Sequence, residues 1–185
     1  MNVFVIGENK CPYRSAREQC DKHVVKMPTE SAQMLSTAHR ILDGELKPRP
    51  SVSGKRIVKY WELPDEREDI LYKAVHPAHP CTVWTMESDA NYRWHVEHFY
   101  ALCEEYELRY ERVHGAKKLL PVLQNLPNNT PKGSLTQFPL AMKSNPECMF
   151  PDDPVKSYRM FYHTKQERFK MTWKHGRVPD WFHAA

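Results

Sequence analysis

Residues 81–115 carry the longest amphipathic pattern in the chain, and this pattern limits the fold more than any other feature. Apolar side chains recur there at three- and four-residue steps, the spacing of one face of an α-helix. They are Val83, Trp84, Ala90, Tyr92, Trp94, Phe99, Leu102, Cys103, Tyr106 and Leu108. The pattern ends at Gly115, and glycine commonly terminates helices. It predicts one long helix and hence a mainly α protein.

A second helical pattern begins at Ser15 and stops before Gly44. Its apolar positions again follow three- and four-residue steps. They are Cys20, Val24, Met27, Met34, Leu35, Ala38 and Leu42. Pro28 interrupts the pattern, because proline lacks an amide donor and its ring clashes with the preceding turn. The segment is therefore predicted to form either two helices, with Pro28 in the first turn of the second, or one helix kinked just before Pro28.

The rest of the chain is predicted to consist of short elements joined by long, proline-rich loops. Fifteen prolines against six glycines indicate fixed turns rather than flexible hinges. Loops are expected at residues 44–65 and 126–154, the first with a short strand near 56–60. Further helices are expected at residues 65–75, 116–126 and 154–173, the last with Asp153 as its N-cap.

The N-terminal stretch NVFVI, residues 2–6, is short and rich in β-branched residues, and Gly7 ends it. It is expected to form either a short strand or a segment tucked into the core. A chain of 185 residues is most often one domain. We therefore predict a single compact helical domain over residues 1–185, with long proline-rich loops and the N-terminal stretch as its candidate strand.

Charge and cysteine content narrow the class of protein. The net charge of +4 and the sequence pI near 8.7 are compatible with a nucleic-acid partner. The five cysteines have no CxxC spacing, which indicates free thiols in a cytoplasmic protein. No apolar run approaches the roughly 20 residues that span a bilayer, and the first ten residues do not resemble a signal peptide. We expect neither a membrane partner nor a bound cofactor, and the oligomeric state is left open.

The stretch CDKHVVKMPTE, residues 20–30, is the first candidate for chemistry. His23 and Glu30 are seven residues apart, so on a helix they lie on nearly the same face, two turns apart. Lys22 and Lys26 flank that face. A histidine and a carboxylate placed in this way can act as a general acid and base. The alternative is a solvated helix face with salt bridges between residues four apart.

Two further clusters are candidates for binding. Trp84, Ser88 and Asn91 share one helical face, and with Trp94 they could stack on and hydrogen-bond to a flipped base; alternatively, Ser88 and Asn91 face solvent. The basic and aromatic C-terminal part, which includes Arg159, has the composition of surfaces that hold phosphates and unpaired bases. Ordinary core aromatics with exposed cations would give the same composition.

The string HPAHPC contains three residues that can bind zinc: His76, His79 and Cys81. His95, Glu97 and His98 could add ligands from the long helix. A metal-dependent hydrolase is therefore a third hypothesis. A rigid turn that leads into the long helix is the simpler interpretation of the two prolines, and in that case no metal is bound and His79 remains a candidate for substrate binding.

The string CDKHVVKMPTESAQML resembles the first helix of the pyrimidine dimer DNA glycosylases, the phage endonuclease V type, at Asp21, His23 and Glu30. The chain, over most of its length, is also similar to uncharacterised phage proteins with the pattern CDKHVVKM…SAQML…HPC.VW…S..NY.W. The glycosylase resemblance implies a small helical protein that acts on DNA in the cytoplasm, which for a phage protein is that of the infected host.

In those glycosylases the α-amine of the N-terminal residue attacks C1′ of the damaged nucleotide and forms a Schiff base. The resemblance assigns the assisting glutamate to Glu30, the matching histidine to His23, and the nucleophile to Asn2 or, if Met1 is retained, to the amine of Met1. The chain departs from the family at Thr29, where the family has arginine, and at Asn2, where the family exposes a threonine.

The leading hypothesis from the sequence is a DNA glycosylase, with or without abasic-site lyase activity, that binds DNA through these residues. The candidate substrate contacts are Lys22, Lys26, His79, Trp84, Ser88, Asn91, Trp94 and Arg159. The alternative is a non-catalytic phage module that binds a nucleic acid or a host protein.

Overall fold

The computed structural model describes residues 1–51 and 53–183, and over these residues the fold is mainly α, as predicted. The α-helices are α1 Pro12–Arg17, α2 Asp21–Asp43, α3 Arg67–Ile70, α4 Pro80–Glu87, α5 Asp89–Tyr110, α6 Leu120–Leu123 and α7 Pro154–His163. Short 3₁₀ turns are Glu8–Lys10, Gly115–Leu119, Pro146–Cys148, Thr164–Glu167 and Lys174–Gly176. The strands are β1 Glu45–Leu46, β2 Arg49–Pro50, β3 Ile57–Val58 and β4 Trp61–Glu62.

The helix α2 runs without interruption through Pro28, so the prediction of two helices is wrong. It also begins at Asp21 rather than at Ser15, because the chain is extended at Cys20 and α1 forms a separate short helix before it. Pro28 removes one backbone hydrogen bond from the helix. Val24, Met27 and Pro28 are buried, and this burial offsets the loss and keeps the helix continuous.

The predicted long helix of residues 81–115 is two helices, α4 and α5, divided at Ser88. Ser88 is extended, with φ −154° and ψ 159°, and its hydroxyl accepts a hydrogen bond from the amide of Asn91. This is the N-cap that begins α5. The helix ends at Tyr110, where Glu111 adopts a left-handed conformation with φ 54°.

Of the two alternatives predicted for the N-terminal stretch, a short strand or a segment buried in the core, the structure shows the buried segment. Val3, Phe4, Val5 and Ile6 are all buried, and no strand is assigned among residues 1–6. The local hydrogen bonds run from the amide of Val5 to the carbonyl of Val3 and from the amide of Ile6 to the carbonyl of Phe4. The side chains pack into the core instead of pairing with a neighbouring strand.

Residues 44–75 form two short antiparallel pairs, β1 with β4 and β2 with β3, so the strand predicted near residues 56–60 exists in part. Arg40 of α2 anchors this region through hydrogen bonds. Its guanidinium is fully buried, and its five N–H groups donate to the Glu68 carboxylate and to the carbonyls of Trp61, Glu68, Leu71 and Tyr72.

Two apolar clusters lie on either side of α2. One joins the N-terminal segment to α4 and α7, and the other joins the C-terminal half of α2 to α5 and the 115–123 region. The final helix begins at the predicted N-cap, where the Asp153 carboxylate accepts from the amide of Lys156, but it ends at His163, earlier than predicted. Among the described residues no helix combines the length and apolarity needed to cross a membrane.

Candidate functional site

A pocket of about 350 Å³ lies between the first half of α2, the N-terminal segment and the region that follows α7. It brings together residues more than 130 positions apart in the chain. Its charged and polar lining consists of Met1, Asn2, His23, Lys26, Glu30, Lys165 and Arg168, and its aromatic lining consists of Phe4, Phe161 and Phe169. Of the predicted catalytic residues, His23, Glu30 and Asn2 all lie at this pocket.

The α-amine of Met1 lies 3.6 Å from one carboxylate oxygen of Glu30. The other oxygen of Glu30 is 2.9 Å from Nζ of Lys26, one helical turn earlier on α2. The side chain of Glu30 is mostly buried, whereas that of Lys26 is exposed. The carboxylate is therefore positioned to receive a proton from the amine or to stabilise positive charge that develops beside it.

His23 is a neutral hydrogen-bond donor at the wall of the pocket. Burial, together with the charges of Lys165 and Lys26, lowers the pKa of His23 to about 3. The hydroxyl of Tyr162 accepts from the Cys20 amide and lies 2.8 Å from Nδ1 of His23. In the tautomer in which the Tyr162 hydroxyl donates to Nδ1, the imidazole proton lies on Nε2.

Positive charge dominates the pocket. Three side-chain cations and the α-amine of Met1 face a single carboxylate, Glu30. Lys165 and Arg168 have no ion pair among residues 1–51 and 53–183, while Lys26 and Met1 share Glu30. Unpaired cations beside a concave surface favour an anionic ligand such as a phosphate.

The aromatic lining is held by ring contacts. Phe4 stacks on His23 with ring centroids 4.8 Å apart, and Phe161 lies parallel to Phe4 at 6.4 Å. Phe169 contacts His23 edge-on, and Nζ of the exposed Lys22 lies 4.7 Å from the centre of the Phe169 ring. Lys22 is thus placed at the rim of the pocket without lining it.

The side chain of Asn2 is hydrogen-bonded to Val3 and Tyr158, whereas its predicted role as nucleophile belongs to its α-amine and stays a prediction. Its amide oxygen accepts from the hydroxyl of Tyr158 at 2.7 Å and from the backbone amide of Val3. The side chain is buried. These bonds hold the N-terminal segment, and the α-amine that lies at the pocket in the structure is that of Met1.

Trp84, Ser88, Asn91 and Trp94 lie outside the pocket, in a separate structural cluster. The Asn91 amide donates to the Trp84 carbonyl and its oxygen accepts from the amide of Thr136. The Ser88 hydroxyl donates to the Ser134 carbonyl, and the Trp94 indole donates to the Lys10 carbonyl. These buried contacts fix the 131–136 loop and the core, so they do not form the expected base-binding pocket.

Arg159 and His79 are also placed elsewhere. Nε of Arg159 donates to the carbonyl of Ile6, and the guanidinium lies over the Trp181 ring, so this arginine holds the N-terminal segment. His79 is the N-cap of α4, with its Nδ1 accepting from the amide of Cys81. Burial, followed by the nearby Met1 amine and His76, lowers the pKa of His79, which indicates that it lies close to the pocket although it is not part of its lining.

The residues proposed for a metal site are not brought together. Within residues 1–51 and 53–183 no group of three histidine, cysteine or acidic side chains has the arrangement of a metal site. His95 bonds to the hydroxyl of Thr85 and His98 to the amide of Gln19, both deep in the core. Their burial lowers the pKa of each to about 3. This arrangement gives no support to the metal-dependent hydrolase.

The chain matches no family model, no curated protein and no solved structure. Phe4, Phe161, Lys165, Arg168 and Phe169 line the pocket but were not among the predicted catalytic or substrate-binding residues. All except Phe4 belong to the basic and aromatic C-terminal part, whose pattern of cations and aromatics ordinary amphipathic helices share.

Proposed function

We propose that this protein is a DNA glycosylase with abasic-site lyase activity that acts on a damaged or modified base. The observation that carries the proposal is the contact between the α-amine of Met1 and the carboxylate of Glu30, 3.6 Å apart, inside a basic pocket. A primary amine beside a carboxylate is the minimum equipment for covalent catalysis at a sugar carbon. The resemblance at Asp21, His23 and Glu30 points to the same chemistry.

The pocket residues have separate tasks in this reaction. The amine lone pair attacks C1′ of the nucleotide, and the base leaves with the electron pair of the glycosidic bond. Glu30 accepts the proton that the amine loses and stabilises positive charge at C1′. His23 donates its Nε2 proton as a hydrogen bond to a sugar or phosphate oxygen. Opening of the sugar then produces the Schiff base on which strand cleavage depends.

Substrate binding is assigned to the cations and rings of the pocket. Lys26 and Arg168 are arranged to hold phosphates on either side of the target nucleotide. Phe161 and Phe169 offer apolar surface for an unstacked base. A flipped nucleotide is the form in which a base reaches such a pocket, and a damaged base leaves the stack at the lowest cost.

The test compares the native protein with Glu30→Gln on ultraviolet-irradiated duplex DNA and on duplexes with single modified bases. Any purification tag is placed at the C-terminal end, and intact mass confirms that the α-amine of Met1 is free. Base release should fall by about 10²-fold or more in Glu30→Gln, since a positioned proton acceptor contributes about that much. Glu97→Gln makes the same chemical change at an exposed site on α5 and should leave the rate unchanged.

Two results would count against the proposal. If native protein neither binds nor cleaves any of these substrates, the glycosylase assignment fails. If it binds DNA tightly without turnover and Glu30→Gln binds equally well, the non-catalytic binding module becomes the better description.

A further inference from the structure

The pocket contains a second primary amine with an unusual environment, that of Lys165. This residue lies in the 3₁₀ turn Thr164–Glu167 that follows α7, and it lines the same pocket as Met1 and Glu30. Its Nζ lies 3.5 Å from the centre of the Phe161 ring. The ring removes part of the water from the amine and fixes its position against the pocket wall.

Lys165 differs from the other lysine of the pocket in its partners. Lys26 forms an ion pair with Glu30 and is two-thirds exposed, with 66% of its side chain accessible. Lys165 is half-buried, and it has no carboxylate within ion-pair distance among the described residues. Its titratable neighbours are Arg168 and Lys26, both positive, and the thiol of Cys148.

This environment favours the neutral form of the amine. Burial, then the charge of Arg168 and, to a smaller extent, that of Lys26 lower the pKa of Lys165, while the Cys148 thiol acts in the opposite direction. A lysine that is desolvated and placed beside other cations is a known route to an activated amine nucleophile, because both effects disfavour the ammonium ion.

We propose that Lys165 is a second amine nucleophile of this pocket, which captures the C1′ aldehyde of an abasic deoxyribose in DNA. The inference rests on the proposed function, because base release supplies the abasic sugar. The lone pair of Nζ adds to C1′ of the ring-opened sugar, the resulting carbinolamine loses one water molecule, and a Schiff base between Nζ and C1′ remains. No oxidant, reductant or metal takes part in this step.

The two amines then divide the reaction between them. The α-amine of Met1, beside Glu30, displaces the base and forms a Schiff base at C1′. One water molecule hydrolyses this Schiff base, which frees the amine and leaves the C1′ aldehyde. Lys165 then reacts with that aldehyde. Lys165 also accounts for abasic DNA as a substrate in its own right, since capture of a free aldehyde needs no base release. A duplex with a preformed abasic site is therefore the substrate that tests this amine without base release.

The experiment is reductive trapping followed by mapping of the adduct. Native protein is incubated with a duplex that carries one abasic site, sodium borohydride reduces any Schiff base, and peptide mass spectrometry locates the modified nitrogen. The adduct is expected on Lys165. Lys165→Arg keeps the positive charge but removes the nucleophile, and should lower the trapped yield at this position at least ten-fold. Lys170→Arg, at an exposed lysine five residues away, should leave the yield unchanged.

Two of the outcomes that would overturn this inference leave the proposed function in place, and a third would overturn the Schiff-base step of both. An adduct on the α-amine of Met1 alone overturns the role of Lys165 and leaves the glycosylase proposal in place. Equal adducts on Lys165 and Lys170 would mean unselective capture by surface lysines and would also overturn it. No adduct on any amine would remove Schiff-base chemistry from the pocket altogether. Mapping on native protein makes the result independent of whether the arginine variant folds.

Discussion

The two halves of α2 both carry charged and polar side chains, but they differ in whether the charges around them have partners. Towards its C-terminal end, Arg40 uses all five of its N–H groups, and Asp43 accepts from Arg67 and from the amides of Asn128 and Asn129. Towards its N-terminal end, His23 and Glu30 border an open pocket in which Lys165 and Arg168 lack any ion pair in the described chain. The polar groups of the C-terminal half have their partners within the protein, whereas cations that face the N-terminal half do not. The C-terminal half is called the saturated half below, and the N-terminal half the open half.

This difference separates structure from function along a single helix. A buried charge whose hydrogen bonds are all made stabilises one conformation and has nothing left to offer a ligand. Cations without partners beside a cavity contribute little to folding, since self-repulsion works against the compact state. Their presence at the pocket is better explained by an anion that they bind.

Arg40→Met gives the largest expected effect and tests the saturated half. Loss of the guanidinium leaves the Glu68 carboxylate and several carbonyls without donors, so the free energy of unfolding should fall by about 3–5 kcal/mol. Urea denaturation measures the change. Arg49→Met removes an exposed arginine that pairs with Glu62 and should cost less than about 1 kcal/mol. Equal losses of stability in the two variants would show that the buried hydrogen bonds of Arg40 stabilise the fold no more than an exposed ion pair does.

The next largest effect is the loss of folding stability at low pH, and histidines in both halves of α2 should contribute to it. Burial is the main cause that lowers the pKa of His23 to about 3 and of His39 to about 4. The unfolded chain therefore binds more protons than the folded chain below about pH 6.5, and stability falls as the pH drops from there. At pH 5 each histidine should cost about 2 kcal/mol relative to pH 7.5.

His23→Gln and His39→Gln should each reduce the loss of stability between pH 7.5 and pH 5 by about that amount. Denaturation curves at the two pH values measure it, with the exposed His175→Gln as the control. An effect confined to one of the two buried histidines would show that the network around it, rather than burial, sets its titration.

Lys26→Met gives the smallest expected effect on stability and tests the open half. Its ion pair with Glu30 is largely exposed on the lysine side, so the free energy of unfolding should change by less than about 1 kcal/mol. The salt dependence of DNA binding should weaken by about one unit of slope if Lys26 contacts a phosphate. Lys132→Met, at another exposed lysine, should leave that slope unchanged. A slope that does not respond to Lys26→Met would exclude it from the interface.

Local spacing was enough to place His23 and Glu30 on one face of α2, because helical geometry relates residues seven apart. It could not place Lys165 there, since that contact depends on the path of the chain over more than 130 residues. The division at Ser88 had a readable signal, a serine in N-cap position before Asp89, which the continuous apolar stripe obscured. The contacts of Arg40 had no such signal, because four of its five acceptors are backbone carbonyls within residues 61–72, which any residue type supplies.

The buried N-terminal segment determines when, during synthesis of the chain, the pocket can form. Its contacts are made with Tyr158 and Arg159, and the pocket is closed by residues 161–169, all near the other end of the chain. At ribosomal rates of roughly 5–20 residues per second, the Met1 amine waits on the order of 10–30 s for its pocket to be synthesised. A ribosome-bound nascent chain thus carries Glu30 and the amine but an incomplete pocket, and the pocket forms only once synthesis is nearly complete.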